Sequence, residues 1–188
     1  MHRFFQALLI VSVLLLSCLG MMIVHELGHV LAALASGGIV AKIVLYPLEF
    51  SRTDLAENPH PLFVAWGGAL GGTILPLFFL WIAKWKRLST CHLFQFFAGF
   101  CLVVHGIYLG VVSFMNAADA GDLMRHGTSH WVLVLVGVVT VPSGFSLWNG
   151  LGAHYGLGVG GRVRHQDAIV TFILLLAVVG IEVLVGSR

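Results

Sequence analysis

The sequence predicts an all-α polytopic membrane protein, with about five transmembrane helices and a short membrane-associated β segment after the first. Three observations predict it. Of the 188 residues, 59% are hydrophobic and only 10% are charged, where a soluble domain carries about a quarter charged residues. Mean hydropathy is +0.98. Five apolar runs reach the ~20 residues that a helix needs to cross a lipid core of ~30 Å. No polar linker or internal repeat divides the chain, so residues 1–188 are expected to form a single domain.

The first helix is expected over residues 4–36, ending at "SGG". At ~1.5 Å per residue it would be roughly 50 Å long, so one end must protrude or tilt. Its opening resembles a signal peptide, and "LLSC" resembles a lipoprotein cleavage site. The apolar run nevertheless continues past Cys18 to Ala35 without a polar break, and it is read as one helix. Residues 39–51, "IVAKIVLYPLEFS", are β-branched and aromatic with partial alternation, which predicts one or two short strands. "RTDLAENPHP" reads as a polar turn. Further helices are expected over residues 62–83, 92–115, 130–149 and 167–185. Pro142 is expected to kink the fourth. "NAADAGDLMRHGTS" and "NGLGAHYGLGVGGR" read as connections.

A net charge of +2 is too small for a nucleic-acid surface, and no basic run interleaves with aromatics, so no nucleic-acid partner is expected. Cys18, Cys91 and Cys101 show no C-x-x-C spacing, which argues against a disulfide framework or a cysteine metal site. Ten histidines among so few charged residues keep metal chemistry in view.

The stretch "IVHELGHVLAALASGG" places His25, Glu26 and His29 inside an apolar run. Polar groups are expensive there and call for a compensating partner. Residues four apart on a helix lie one above the other, about 40° apart around the axis. His25 and His29 can therefore grip one zinc ion from one face, while Glu26 beside it can serve as base toward a water activated by the metal.

A catalytic zinc site takes three protein ligands. Threading five spans through a bilayer brings the end of the first helix to the same face as the end of the third, where "NAADAGD" lies. Asp122 is the first choice for the third ligand and Asp119 the second. Glu49 sits in an expected strand, His105 is read as a packing histidine deep in the third helix, and His126 and His130 remain nearby candidates. In "WGGALGG", the pairs Gly67/Gly71 and Gly68/Gly72 have the G-x-x-x-G spacing that lets helices approach closely in lipid. Ala32, Ala33 and Ser36 offer a small-residue face on the first helix.

Together these segments resemble the site-2 protease family of intramembrane zinc metalloproteases, in its M50B-like branch. "HELGHVLAALASGG" is similar to the family's first motif, "WGGALGGTILP" to its glycine-rich second helix, and "NAADAGDL" to its third motif, over roughly residues 20–125. The resemblance implies His25, His29 and Asp122 as Zn2+ ligands, Glu26 as general base and Asn116 as a substrate-binding residue. Asp119 stands where the family often has proline, and Leu123 where a glycine usually follows the aspartate, so Asp122 and Asp119 both stay open. The implied activity is a zinc-dependent endopeptidase that cuts a single-span membrane protein within the lipid bilayer. An edge strand in residues 39–51 would pair with the unwound substrate. The alternative is a non-proteolytic metal-binding membrane protein, a pseudoprotease or metal transporter. The plasma membrane is the expected location.

Overall fold

The computed structural model describes residues 2–47, 49, 51–158 and 160–186. Helix α1 (His2–Ala35) leads into a hairpin of β1 (Ile39–Val44) and β2 (Arg52–Glu57), followed by α2 (Pro61–Trp85) and α3 (Cys91–Val112). A 3-10 turn (Ser113–Met115), α4 (Ala118–Arg125), α5 (His130–Trp148), a second 3-10 turn (Leu151–Tyr155) and α6 (His165–Gly186) complete the order. Helices α1, α2, α3, α5 and α6 are long and apolar enough to cross a membrane. The chain is an integral, multi-pass membrane protein.

The spanning helices form a row. α1 packs between α6 and α2, α2 carries α3 on its other side, and α3 packs against α5. α1 and α3 touch little directly, so a groove is left between them. The α1–α2 seam is a backbone contact. A Cβ on Gly28 would run into the carbonyl of Gly67 and would lie 2.9 Å from Gly71 Cα, and one on Gly71 would lie 2.6 Å from Gly28 Cα. Small residues at this crossing let the two main chains meet, which supplies the packing that lipid does not drive hydrophobically. At the far end, Gln6 donates to the carbonyls of Tyr155 and Gly156 at 3.1 and 2.9 Å, and the His92 imidazole lies 3.3 Å from the Asp167 carboxylate. These contacts tie α1 and α3 to the segment entering α6.

The structure corrects the sequence expectation in two places. β2 falls on residues 52–57, which composition marked as a polar turn, while residues 45–47, 49 and 51 lie in no strand; Leu48 and Phe50 lie outside the described residues. The strand obeys period two: Thr53 and Leu55 turn inward while Arg52, Asp54 and Ala56 are exposed. Leu55 and Val40 pack on Ala32, Ala33 and Val64, which seats the hairpin on α1 and α2. Second, the polar connection after α3 contains a helix, α4, whose Ala120 and Leu123 are fully buried against α2, α3 and α5 residues. α5 runs through Pro142 as one continuous helix.

The chain reverses into α4 through Asn116 (φ 53°) and Ala118 (φ 50°), both left-handed. Asparagine tolerates this region and alanine does not do so readily. Asn116→Ala is expected to cost about 1 kcal/mol, and Asn116→Gly to be tolerated, as read from heat or denaturant unfolding of the detergent-solubilised protein. Gly28→Ala is expected to cost about 1–3 kcal/mol in the same measurement, because the added carbon meets main chain that has no rotamer to yield.

Candidate metal centre

Four elements supply the site. α1 contributes His25, Glu26 and His29, β2 contributes Thr53, α3 contributes His105 and Tyr108, and α4 contributes Asp119. They line a cavity of about 880 Å³ that opens between α1, α3 and the hairpin. Glu26 is buried, and His25, His29 and Asp119 are largely so.

Three donor atoms converge. His25 Nε2 lies 2.7 Å from Asp119 Oδ2 and 3.1 Å from His29 Nε2, and His29 Nε2 lies 3.7 Å from Asp119 Oδ2. Two ligands on a tetrahedral zinc with bonds of 2.0–2.1 Å would sit roughly 3.3 Å apart. The observed separations bracket that value, so small adjustments would seat an ion. The donor chemistry agrees. The His29 Nδ1–H donates to the Val64 carbonyl at 2.8 Å, which leaves Nε2 as the lone-pair nitrogen facing His25 and Asp119. Two imidazole lone pairs and a carboxylate crowded together need a cation, a proton or a metal ion, to hold them.

Asp119 sits in the first turn of α4, where the helix dipole favours a negative charge. Burial pushes its carboxyl up, but protonated His25 and His29 imidazoles, through hydrogen bonds and charge, outweigh burial and hold it well below the usual carboxylate range; a metal ion in place of those protons would favour the anion likewise. It is therefore an anion at neutral pH. Tyr108 is close by, its hydroxyl 3.5 Å from Asp119 Oδ2 and 3.4 Å from the Asp119 backbone nitrogen. Thr53 donates its hydroxyl to Glu26 Oε2 at 2.7 Å. The hairpin thus reaches down onto the carboxylate that follows the first histidine.

Asp122, the first choice from sequence, is not the carboxylate that meets the imidazoles. Burying Ala120 and Leu123 orients α4 so that Asp119 projects about 40° from Leu123, while Asp122 projects about 100° from it in the same sense, further from the buried face. Asp122 lines the outer cavity wall and pairs with Arg125 at 3.0 Å. Asn116 is exposed at the reversal before α4 and is not among the residues lining the cavity. Glu49 is exposed in the hairpin connection. His126 reaches the cavity rim, where Nδ1 donates to the Asp122 carbonyl at 2.8 Å, and His130 stacks edge-on against Phe114. Glu182 is buried in α6 and, among the described residues, has no hydrogen-bond partner.

His105, expected to be a packing residue, instead faces His25, its Nε2 3.0 Å from His25 Nδ1. The signal for it was present: a histidine within an apolar span needs a polar partner, and the nearest spans offer few besides the HELGH residues. The glycines of α2 make room for both rings. A Cβ on Gly68 would collide with the His29 imidazole and one on Gly72 with that of His105. Gly67 and Gly71 meet α1 backbone, so the two G-x-x-x-G pairs serve different ends, one seating the helix and the other the imidazoles.

A family profile described as Peptidase M50B-like matches residues 4–118. No curated protein and no solved structure matches the chain. The matched region runs from the start of α1 to the first residue of α4, and so contains His25, Glu26, His29, the hairpin and α2 with its glycines. With more than half of its length matched, the chain belongs to the Peptidase M50B-like family.

Proposed function

We propose that the protein is a zinc-dependent intramembrane endopeptidase that hydrolyses peptide bonds of membrane-spanning substrates, with His25, His29 and Asp119 holding the ion. The observation that carries this reading is the convergence of three donor atoms from α1 and α4 next to a buried glutamate, inside a cavity within a bundle of apolar helices. Family membership supports the peptidase class.

Zinc, when bound, polarises the scissile carbonyl and makes water a usable nucleophile at neutral pH. The chain's own residues do the rest. Glu26 is held by Thr53 through Oε2, so Oε1 is the oxygen free to take the proton of the attacking water and pass it to the leaving nitrogen. β2 pairs with β1 alone among the described residues, and Thr53 on it touches Glu26. A substrate helix that unwinds can add to the free edge of β2 and present its extended backbone to the cavity. Apolar walls such as Met21, Met22 and Val104 limit the water beside the site. The substrate class is a single-span membrane protein, and the plasma membrane is the proposed location.

Glu26→Gln is expected to lower cleavage of candidate single-span substrates in membranes by about 10²–10⁴-fold while leaving zinc content intact. Equal processing by both proteins would point to a metal-binding role without proteolysis. Zinc content of the purified protein is expected to fall sharply in Asp119→Ala and to stay near wild type in Asp122→Ala; the reverse would assign the third ligand to Asp122.

A further inference from the structure

We infer that His105 is a positioning residue for the metal centre: it fixes the tautomer and orientation of His25 through an imidazole-to-imidazole hydrogen bond buried between α3 and α1. The inference rests on the proposed metal site and deepens it.

The direction of the chain of bonds follows from its fixed end. His105 Nδ1 lies 3.0 Å from the Cys101 carbonyl oxygen, one turn earlier on α3. A carbonyl can only accept, so Nδ1 carries the proton. The neutral ring then presents a bare lone pair at Nε2. That lone pair is 3.0 Å from His25 Nδ1, which must therefore be the protonated nitrogen of His25. With its own proton at Nδ1, His25 keeps Nε2 facing His29 and Asp119, where the 2.7 Å approach to the carboxylate is bridged by a proton that a metal ion can replace. A reversed chain would aim a nitrogen lone pair at a carbonyl lone pair inside an apolar bundle.

His29 reaches the same state by a shorter route, since its Nδ1 meets the Val64 carbonyl directly. His25 lies one turn deeper and faces α3 across a groove where the two helices scarcely touch. A side chain must bridge that gap, and His105 does so. It lies behind His25, on the nitrogen turned away from Asp119, so it is not itself a ligand. Its position is prepared: His105 is buried, and only glycine at position 72 leaves space for the ring.

The test uses the full chain in detergent or nanodiscs, with Zn2+ affinity read by chelator competition and ligand geometry by visible absorption of the Co2+-loaded protein. His105→Leu is expected to weaken Zn2+ binding about 10–100-fold, as loss of a ligand's hydrogen-bond partner does, and to shift the cobalt band. His105→Gln, whose amide oxygen can stand where Nε2 stands, is expected to restore both. Gly72→Ala, which wedges the ring aside, is expected to fall with His105→Leu. Should His105→Leu not fold, His105→Asn, polar but too short to reach His25, takes its place in the comparison. A purely structural role would reduce the folded fraction without moving the affinity or the band of what remains. Unchanged affinity in His105→Leu, or equal loss in the Leu and Gln variants, would overturn the inference. His29→Ala separates the two layers: metal lost there but kept in His105→Leu sinks the positioning role alone, and a wild type that binds no Zn2+ sinks both.

Discussion

The site depends on one backbone contact. Where α1 crosses α2, Gly28 meets Gly67 and Gly71 main chain to main chain. That approach brings the Val64 carbonyl within reach of His29 and sets the flat face of Gly68 against its imidazole, while Gly72, on the same helix, makes room for His105 of α3. With side chains at Gly28, Gly67 and Gly71 the helices would stand apart, and His29 Nδ1 would lose the Val64 carbonyl. Glycine at this seam is thus a requirement of the polar chemistry as much as of the packing.

Polar groups in a lipid-embedded bundle must find their partners within the protein. His29 uses a carbonyl of α2, His25 uses His105, His105 uses a carbonyl of its own helix, and Glu26 uses Thr53. These bonds leave the Nε2 atoms of His25 and His29 directed at Asp119. The pairing that makes burial tolerable is also what aims the donors, so stability and chemistry are not separate demands here.

The five long helices were legible because hydropathy and length are properties of the chain itself, and the four-residue spacing of His25 and His29 was legible because a helix turns that into proximity. What failed to show depended on tertiary context. β2 is polar on its outer face and short, so its alternation of Thr53 and Leu55 was hidden by Arg52, Asp54 and Glu57. Asp119 and Asp122 could not be ranked without the helix that contains them, since only the burial of Ala120 and Leu123 decides which carboxylate turns inward. His105 was judged by its distance from the end of α3, yet His25 stands comparably far from the end of α1, and the two imidazoles meet at one level.

α1 has one more consequence. At ~1.5 Å per residue, the pair of imidazoles sits roughly 38 Å along the helix from His2, farther than the ~30 Å of a typical hydrocarbon layer. If the helix began at one headgroup layer and stood upright, the site would lie at the opposite margin of the oil, a short step from bulk solvent. Tilting the helix, or thickening the bilayer around it, would draw the same atoms into drier surroundings. The lipid's own dimensions thereby become a control on hydration around His25, His29 and Asp119, set by the membrane rather than by any residue.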